Sequence, residues 1–259
     1  MTQQKNSIKI KKFWYGDVAA DGGMGKVLNE IACTLREGTV ALEGSEAAKT
    51  MYKNICGQTL EEDKVKGDKT LIAQLADLTP EVVAAFTGGT ATSTVDADSY
   101  DTPEDKNQNI ELSIAFLTNS NVYVRIPRVS FDGFPAFKDN DLAYHQLNGT
   151  VLEPNKAGIS DLGYDILTAV GIAATEITSL EVEGSTGAAT INSGTHTVTI
   201  EVANGTGLTA LSPIIGISKG ASISPLSGAE QDFTSAVNYT VTAVDGSTQV
   251  WAVTITEAA

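Results

Sequence analysis

Two histidines, His145 and His196, are the only ones in the 259 residues. A Ser-His-Asp or Cys-His site would have to use one of them, and no G-x-S-x-G elbow accompanies either. His196 falls on the outward, Thr-lined face of a predicted strand and reads as solvated. Asp21-Gly-Gly-Met-Gly-Lys26 has the look of a phosphate loop. Ala20, however, stands where G-x-x-x-x-G-K needs its first glycine, and Val27 replaces the magnesium-binding Ser or Thr, so it reads as a glycine-rich turn. Asp96-Ala-Asp98-Ser-Tyr-Asp101 begins like a calcium loop. Its sixth position is Asp101 and its twelfth Asn107, where a glycine and a carboxylate are required, so a solvated acidic loop is expected. No pair of carboxylates is singled out for glycoside hydrolysis. Cys33 and Cys56 are too few for a disulfide framework and read as reduced thiols, with their pairing left open. No catalytic residue, cofactor site or metal site is expected.

The elements that would position any site are mostly strands. In Asn109–Leu117, Leu112, Ile114 and Phe116 alternate. Thr118-Asn-Ser-Asn121 is polar, and Val122–Ile126 alternates again up to Pro127, which predicts a β-hairpin. Arg128–Phe131 reads as a further strand, stopped at Asp132-Gly133. A helix is predicted from Thr79 as cap, Pro80 at its first position and Glu81 at its positive end, closed by Gly88. Val82, Val83 and Phe86 form its apolar stripe. Glu61, Glu62, Asp63, Lys64, Lys66, Asp68 and Lys69 lie in one long charged loop, and residues 91–108 form another. Farther on, Val198, Ile200 and Val202 alternate with Thr197, Thr199 and Glu201. Tyr239 and Val241, then Trp251, Val253 and Ile255, repeat the pattern, with turns at Asn204-Gly205 and Asp245-Gly246. Short strands at this spacing predict an immunoglobulin-like sandwich.

Charge divides the chain near Thr175. Before it stand 16 Lys+Arg and 24 Asp+Glu; after it, Lys219 alone against 8 acidic residues. With the change in texture this predicts two domains, 1–174 and 175–259. The net charge of -15 is opposite in sign to that of a protein that grips phosphates. It suits either plain solubility or a surface that must not hold DNA. No run approaches eighteen apolar residues, so no membrane-spanning helix and no membrane partner are expected. The start, MTQQKNSIKIKKFWYGD, has no apolar core of a signal peptide, so work inside the producing cell is expected unless an export segment has been removed. Asn148-Gly-Thr150, Asn204-Gly-Thr206 and Asn238-Tyr-Thr240 match the glycosylation pattern. On that footing they are coincidental, the first two being read as hairpin turns.

Three stretches of the first domain resemble the tail tube (major tail) proteins of long-tailed phages. They are Phe13–Gly25, Asp77–Thr90, and the hairpin Ile110–Phe131 continued by Phe134–Leu142 and Gly149–Pro154. The second domain resembles an Ig-like or cadherin-like repeat of bacterial surface proteins. Leu208–Pro213, Ile217–Gly228, Asp232-Phe233, Tyr239–Thr248 and Trp251–Thr256 carry that likeness. Together they imply a mainly β chain, a tail-tube-like sandwich or barrel with a short helix followed by an Ig-like sandwich. They further imply a virion-tail subunit, assembled in the host cytoplasm into hexameric rings stacked around a tape-measure protein among other tail proteins. DNA would pass through without specific binding, and the charged loop Glu61–Lys69 would join ring to ring. The rival expectation is a bacterial cell-surface protein whose Ig-like domain meets a glycan or a protein.

Overall fold

The computed structural model describes residues 8–31, 40–45, 48–53, 59–65, 67–75, 79–94, 97–102, 109–132, 135–136 and 144–259. The chain is mainly β. The first part runs β1 (Ile10–Asp17), β2 (Asn29–Ile31), β3 (Ala41–Gly44), β4 (Ala48–Lys53), β5 (Thr59–Val65), β6 (Lys69–Leu75), helix α1 (Pro80–Thr87), β7 (Thr90–Ser93), β8 (Asp98–Asp101), β9 (Ile110–Thr118), β10 (Val122–Asp132), β11 (Pro135–Ala136), β12 (Tyr144–Val151) and β13 (Gly163–Ile166). After the single turn α2 (Ala169–Ile172) come β14 (Ile177–Glu181), β15 (Thr190–Asn192), β16 (Thr197–Val202), β17 (Ile214–Ile217), β18 (Ser222–Ser224), β19 (Val237–Thr242) and β20 (Thr248–Glu257). Among the described residues no helix is long and apolar enough to cross a membrane.

One large sheet, in the order β2-β1-β9-β10-β12-β6-β3, organises the first part. It curls until the backbone N–H of Ile8, ahead of β1, donates to the Val40 carbonyl, ahead of β3, at 2.8 Å. The sheet is thus a barrel, and its inward residues Phe13, Leu71, Ile114, Phe116, Ile126 and Leu147 are buried together. The helix α1 plugs the end near Phe131. Phe86 packs there on Tyr15 and Phe131, with ring centroids 5.1 and 5.0 Å away. Its bounds follow the sequence signals. Pro80 opens it and Gly88 closes it at φ 74°, but Thr79 makes no side-chain capping bond.

Several sequence expectations need correction. Pro127 does not end a strand. β10 runs through it with a register shift between Ile126 and Val129. Proline, which has no N–H to give, is tolerated at such a bulge. The buried Ser113 fills the irregularity, donating to the Pro127 carbonyl at 2.6 Å and accepting the Gly25 N–H at 2.8 Å. Asn148-Gly149 is not a turn but mid-strand in β12. A Cβ on Gly149 would stand 2.5 Å from Val129 Cγ1 and 2.7 Å from Phe131 Cε1, so the glycine makes room for the core. Residues 91–93 and 98–101 are not loop either, since β7 and β8 pair as a ribbon.

The second part packs the pair β14-β17 against the sheet β15-β16-β20-β19-β18. β16 and β20 run parallel, and β19 and β20 antiparallel. The alternating residues named from sequence, from Val198 to Ile255, form its core with Phe233 and Leu180. His196 precedes β16 in a turn with φ 52°, its ring edge-on to Trp251 at 5.2 Å, so it is not on the strand face expected.

The two parts meet on the outer face of the barrel. Trp14, Leu117 and Tyr123 pack there with Met24, Leu28, Leu167 and Val244, the last from the sandwich. Gly220, at φ +78°, lets Val244 of the same sandwich lie close, for a Cβ would stand 2.8 Å from Val244 Cγ2. Lys26 pairs with Glu181 across the same junction.

Candidate functional site

The barrel end opposite α1 is open. Ile10, Thr118 and Val122 all lie at that end by strand register. A groove of about 630 Å³ enters it, lined by Ile8, Leu42, Phe116, Val122, Val124 and Leu162. Thr118, Asn119, Ser120, Lys9 and Tyr164 form the rim. A concave apolar floor with a few polar groups at the edge is the general form of a small-ligand site, and a barrel mouth is a usual place for one.

β13 builds the exposed wall. Its side chains alternate, so Tyr164 and Ile166 share one face at 67% and 70% exposure. Val124 lies opposite Tyr164, and Val122 opposite Ile166. Val170, after the strand, continues the exposed apolar strip. Asp165 points to the other face. Its carboxylate meets Arg125 Nη2 at 3.0 Å and Lys219 Nζ at 2.9 Å. The Lys219 hydrogen bond, ahead of the Arg125 charge, holds that carboxyl below the usual carboxylate range. The lone cation of the sandwich therefore braces the strand that carries Tyr164.

The backbone of β13 is half used. The N–H of Leu167 donates to the Asn121 carbonyl at 2.9 Å. By antiparallel alternation the hydrogen-bonded pairs are then Asn121–Leu167 and Tyr123–Asp165. The N–H and C=O groups of Tyr164 and Ile166 point away from β10, and no described strand pairs with that edge.

Two other cavities are less suited to a ligand. The cleft between barrel and sandwich, about 250 Å³, holds Trp14 and Tyr123. These are only 4% and 8% exposed, so neither presents a ring face. Burial pushes the Tyr123 phenol up to about 12. A third cavity of about 570 Å³ is lined by Asp17, Asp21, Lys26 and Glu181. Of its charges, Lys26 is taken by Glu181 and Asp21 by Lys156.

The residues singled out from sequence are not gathered at the groove. Glu61, Glu62, Asp63 and Lys64 lie in β5, which pairs with β4. The expected charged loop is thus largely a two-stranded ribbon, because residues 48–53 offer it a partner strand. Lys66 lies outside the described residues. The Asp68 N–H donates to Ser45 Oγ at 2.8 Å, and Lys69 Nζ binds the Asp161 carboxylate at 2.7 Å. In the glycine-rich turn Asp21 accepts the Gly23 N–H at 3.0 Å, which occupies the turn with its own contacts. Cys33 and Cys56 lie outside the described residues, as does the side chain of His145. Among the described residues no cluster of three or more His, Cys, Asp or Glu could hold a metal. Sequence reasoning missed Tyr164, although the signal was present. Leu162, Tyr164 and Ile166 alternate a few residues ahead of the expected boundary near Thr175.

Residues 177–255 match the family model described as SGBP, N-terminal. That is less than a third of the chain, and it coincides with the sandwich. No curated protein matches the chain. Among solved structures, a candidate glycoside hydrolase of Bacteroides thetaiotaomicron is 30% identical over 37% of this chain at a TM-score of 0.32. The chain spans only 28% of that protein's length. A candidate secreted protein of Bacteroides fragilis is 17% identical over 51% of this chain and 91% of its own, at a TM-score of 0.25. Both TM-scores are too low to transfer a fold or a function.

The family match overturns the tail-tube expectation. Where that resemblance looked for a phage subunit, residues 177–255 match the model described as SGBP, N-terminal. Hexameric rings, a tape-measure protein and other tail partners, the DNA conduit, the virion-tail location and the inter-ring role of Glu61–Lys69 fall with it. The physical reason lies in the motifs that carried the likeness. A strand leading into a glycine turn, and a short helix closed by a glycine pair, are local solutions to chain reversal and capping. Any barrel with a plug helix can use them.

Proposed function

We propose that the chain is a non-catalytic glycan-binding protein of a bacterial cell surface. The observation that carries this is the match of residues 177–255 to the SGBP model, which stands for surface glycan-binding protein. The barrel mouth supports it independently. Its apolar floor and exposed tyrosine suit a saccharide, which has C–H-rich ring faces and hydroxyl edges. Around the groove, Lys69, Arg125 and Lys219 are tied into ion pairs, an arrangement suited to holding the fold in place for a ligand. In this reading 1–174 is the binding unit and 175–259 a separately folding sandwich that braces it. The separate core of residues 177–255 supports that division. The test is retardation of the full chain in native gels containing soluble polysaccharides, neutral and acidic. Retention by at least one is expected, and retention by none refutes the proposal.

A further inference from the structure

We infer that the groove at the barrel mouth takes an uncharged saccharide, laid with one ring face on Tyr164 and its hydroxyls on the open edge of β13. This rests on the glycan-binding reading and goes further by naming both the site and the class of sugar.

The charge inventory decides the class. An acidic glycan, bearing uronate or sulfate, needs cations with unspent hydrogen-bond donors facing it. Here each nearby cation is engaged, and Arg125 Nε, which has no partner among the described residues, is buried. Lys69 is on Asp161, Arg125 and Lys219 are on Asp165, and Lys11 donates to Asn121 Oδ1 at 2.7 Å. Lys9, on the rim, also has a partner of its own. Detaching Lys69, Arg125 or Lys219 for a ligand would leave a carboxylate without its counter-ion. The chain as a whole carries a net charge of -15, which disfavours anions further.

The geometry fits a neutral sugar in two ways. Tyr164 is exposed enough to offer a ring face and stands opposite Val124, so a sugar laid on it also covers the apolar wall. The N–H and C=O groups of Tyr164 and Ile166 face the same open edge, giving fixed donors and acceptors to ring hydroxyls. Asp165, between them, holds the strand through Arg125 and Lys219, so these groups are placed before a ligand arrives.

The experiment measures affinity of the full chain for neutral polysaccharides (glucans, mannans, arabinans) and acidic ones (polygalacturonate, chondroitin sulfate) by calorimetry at 50 and 500 mM salt. Tyr164→Ala and Tyr164→Phe are run beside the parent. Tyr164 is largely exposed, so the alanine variant keeps its circular dichroism spectrum and melting temperature. Expected is binding to a neutral glycan, little changed by salt, weakened about tenfold or more by Tyr164→Ala and retained by Tyr164→Phe. Binding confined to acidic glycans and weakened by salt overturns this inference while the glycan-binding reading stands. Neutral binding untouched by Tyr164→Ala moves the site elsewhere, with the same consequence. Binding to no glycan overturns both.

Discussion

Replacing Trp251 by alanine tests how the sandwich is held together. Trp251 is fully buried in β20, beside Tyr239 on β19 and edge-on to His196 at 5.2 Å. Its indole N–H donates to the Thr175 carbonyl at 2.9 Å, which ties the start of the sandwich to its last strand. Removing a buried tryptophan side chain costs about 3–5 kcal/mol in lost transfer energy and residual cavity. Leaving the Thr175 carbonyl without its donor adds about 1 kcal/mol. The sum is a large part of the roughly 5–15 kcal/mol by which a domain is stable. Urea unfolding followed by far-ultraviolet circular dichroism measures it without relying on the deleted fluorophore. Trp251→Phe separates the two contributions, since it keeps most of the apolar body and loses only the hydrogen bond. A loss below about 1 kcal/mol for Trp251→Ala would refute the reasoning, because the cavity cost alone exceeds it.

Tyr239 is fully buried, and its hydroxyl has no hydrogen-bond partner among the described residues. Tyr239→Phe is therefore expected to leave stability unchanged or raise it by about 1 kcal/mol in the same urea titration. Gly149→Ala should cost about 1–3 kcal/mol, since the added methyl collides with Val129 and Phe131 deep in the barrel; thermal unfolding of the full chain measures it. The Asp165 carboxyl is held low by Lys219 and Arg125. A depressed carboxyl contributes stability above its unfolded value, near 3.9, and loses it as pH falls through the folded value. Melting temperature should therefore drop with acidification below about pH 4, and part of that drop should vanish in Lys219→Met.

Much of the sandwich was legible because one face of each strand is buried and the other wet, so its side chains follow a strict period of two. The barrel was less legible for the same reason inverted. β9 is covered on both faces, Phe116 inward and Leu117 under the sandwich, so polarity marks neither face. The strands β5, β7 and β8 fall in stretches read as loops because charged and small polar residues dominate them, leaving mainly pairing to define them. Asn148-Gly149 has the composition of a turn, but its glycine serves a steric need set by Phe131 from another strand. The open groove depends on how far the sheet curls and on where β13 sits beside β10. Those are long-range matters on which local pattern is silent. Only the alternation Leu162, Tyr164, Ile166 hinted at it.

The acidity of the chain acquires a different meaning in this structure. As a bulk number, -15 suited a conduit that must not hold a polyanion. In the fold, three cations of this region are committed to particular carboxylates, Lys69 to Asp161 and Lys219 with Arg125 to Asp165. What matters for a ligand is the unspent charge facing it, and the structure spends its positive charge on holding strands in place. Lys219 is the sharpest case. It is the only basic residue beyond Thr175, and it reaches out of the sandwich to the one acidic residue of β13. Had it served solubility, any exposed position would have done. Its place on Asp165 couples the sandwich to the strand that presents Tyr164. Lys219→Met should therefore weaken glycan binding through a less ordered β13 while leaving the sandwich core intact. Calorimetric affinity read beside the urea transition of residues 177–255 distinguishes this from general unfolding, and unchanged affinity would show that β13 needs no brace.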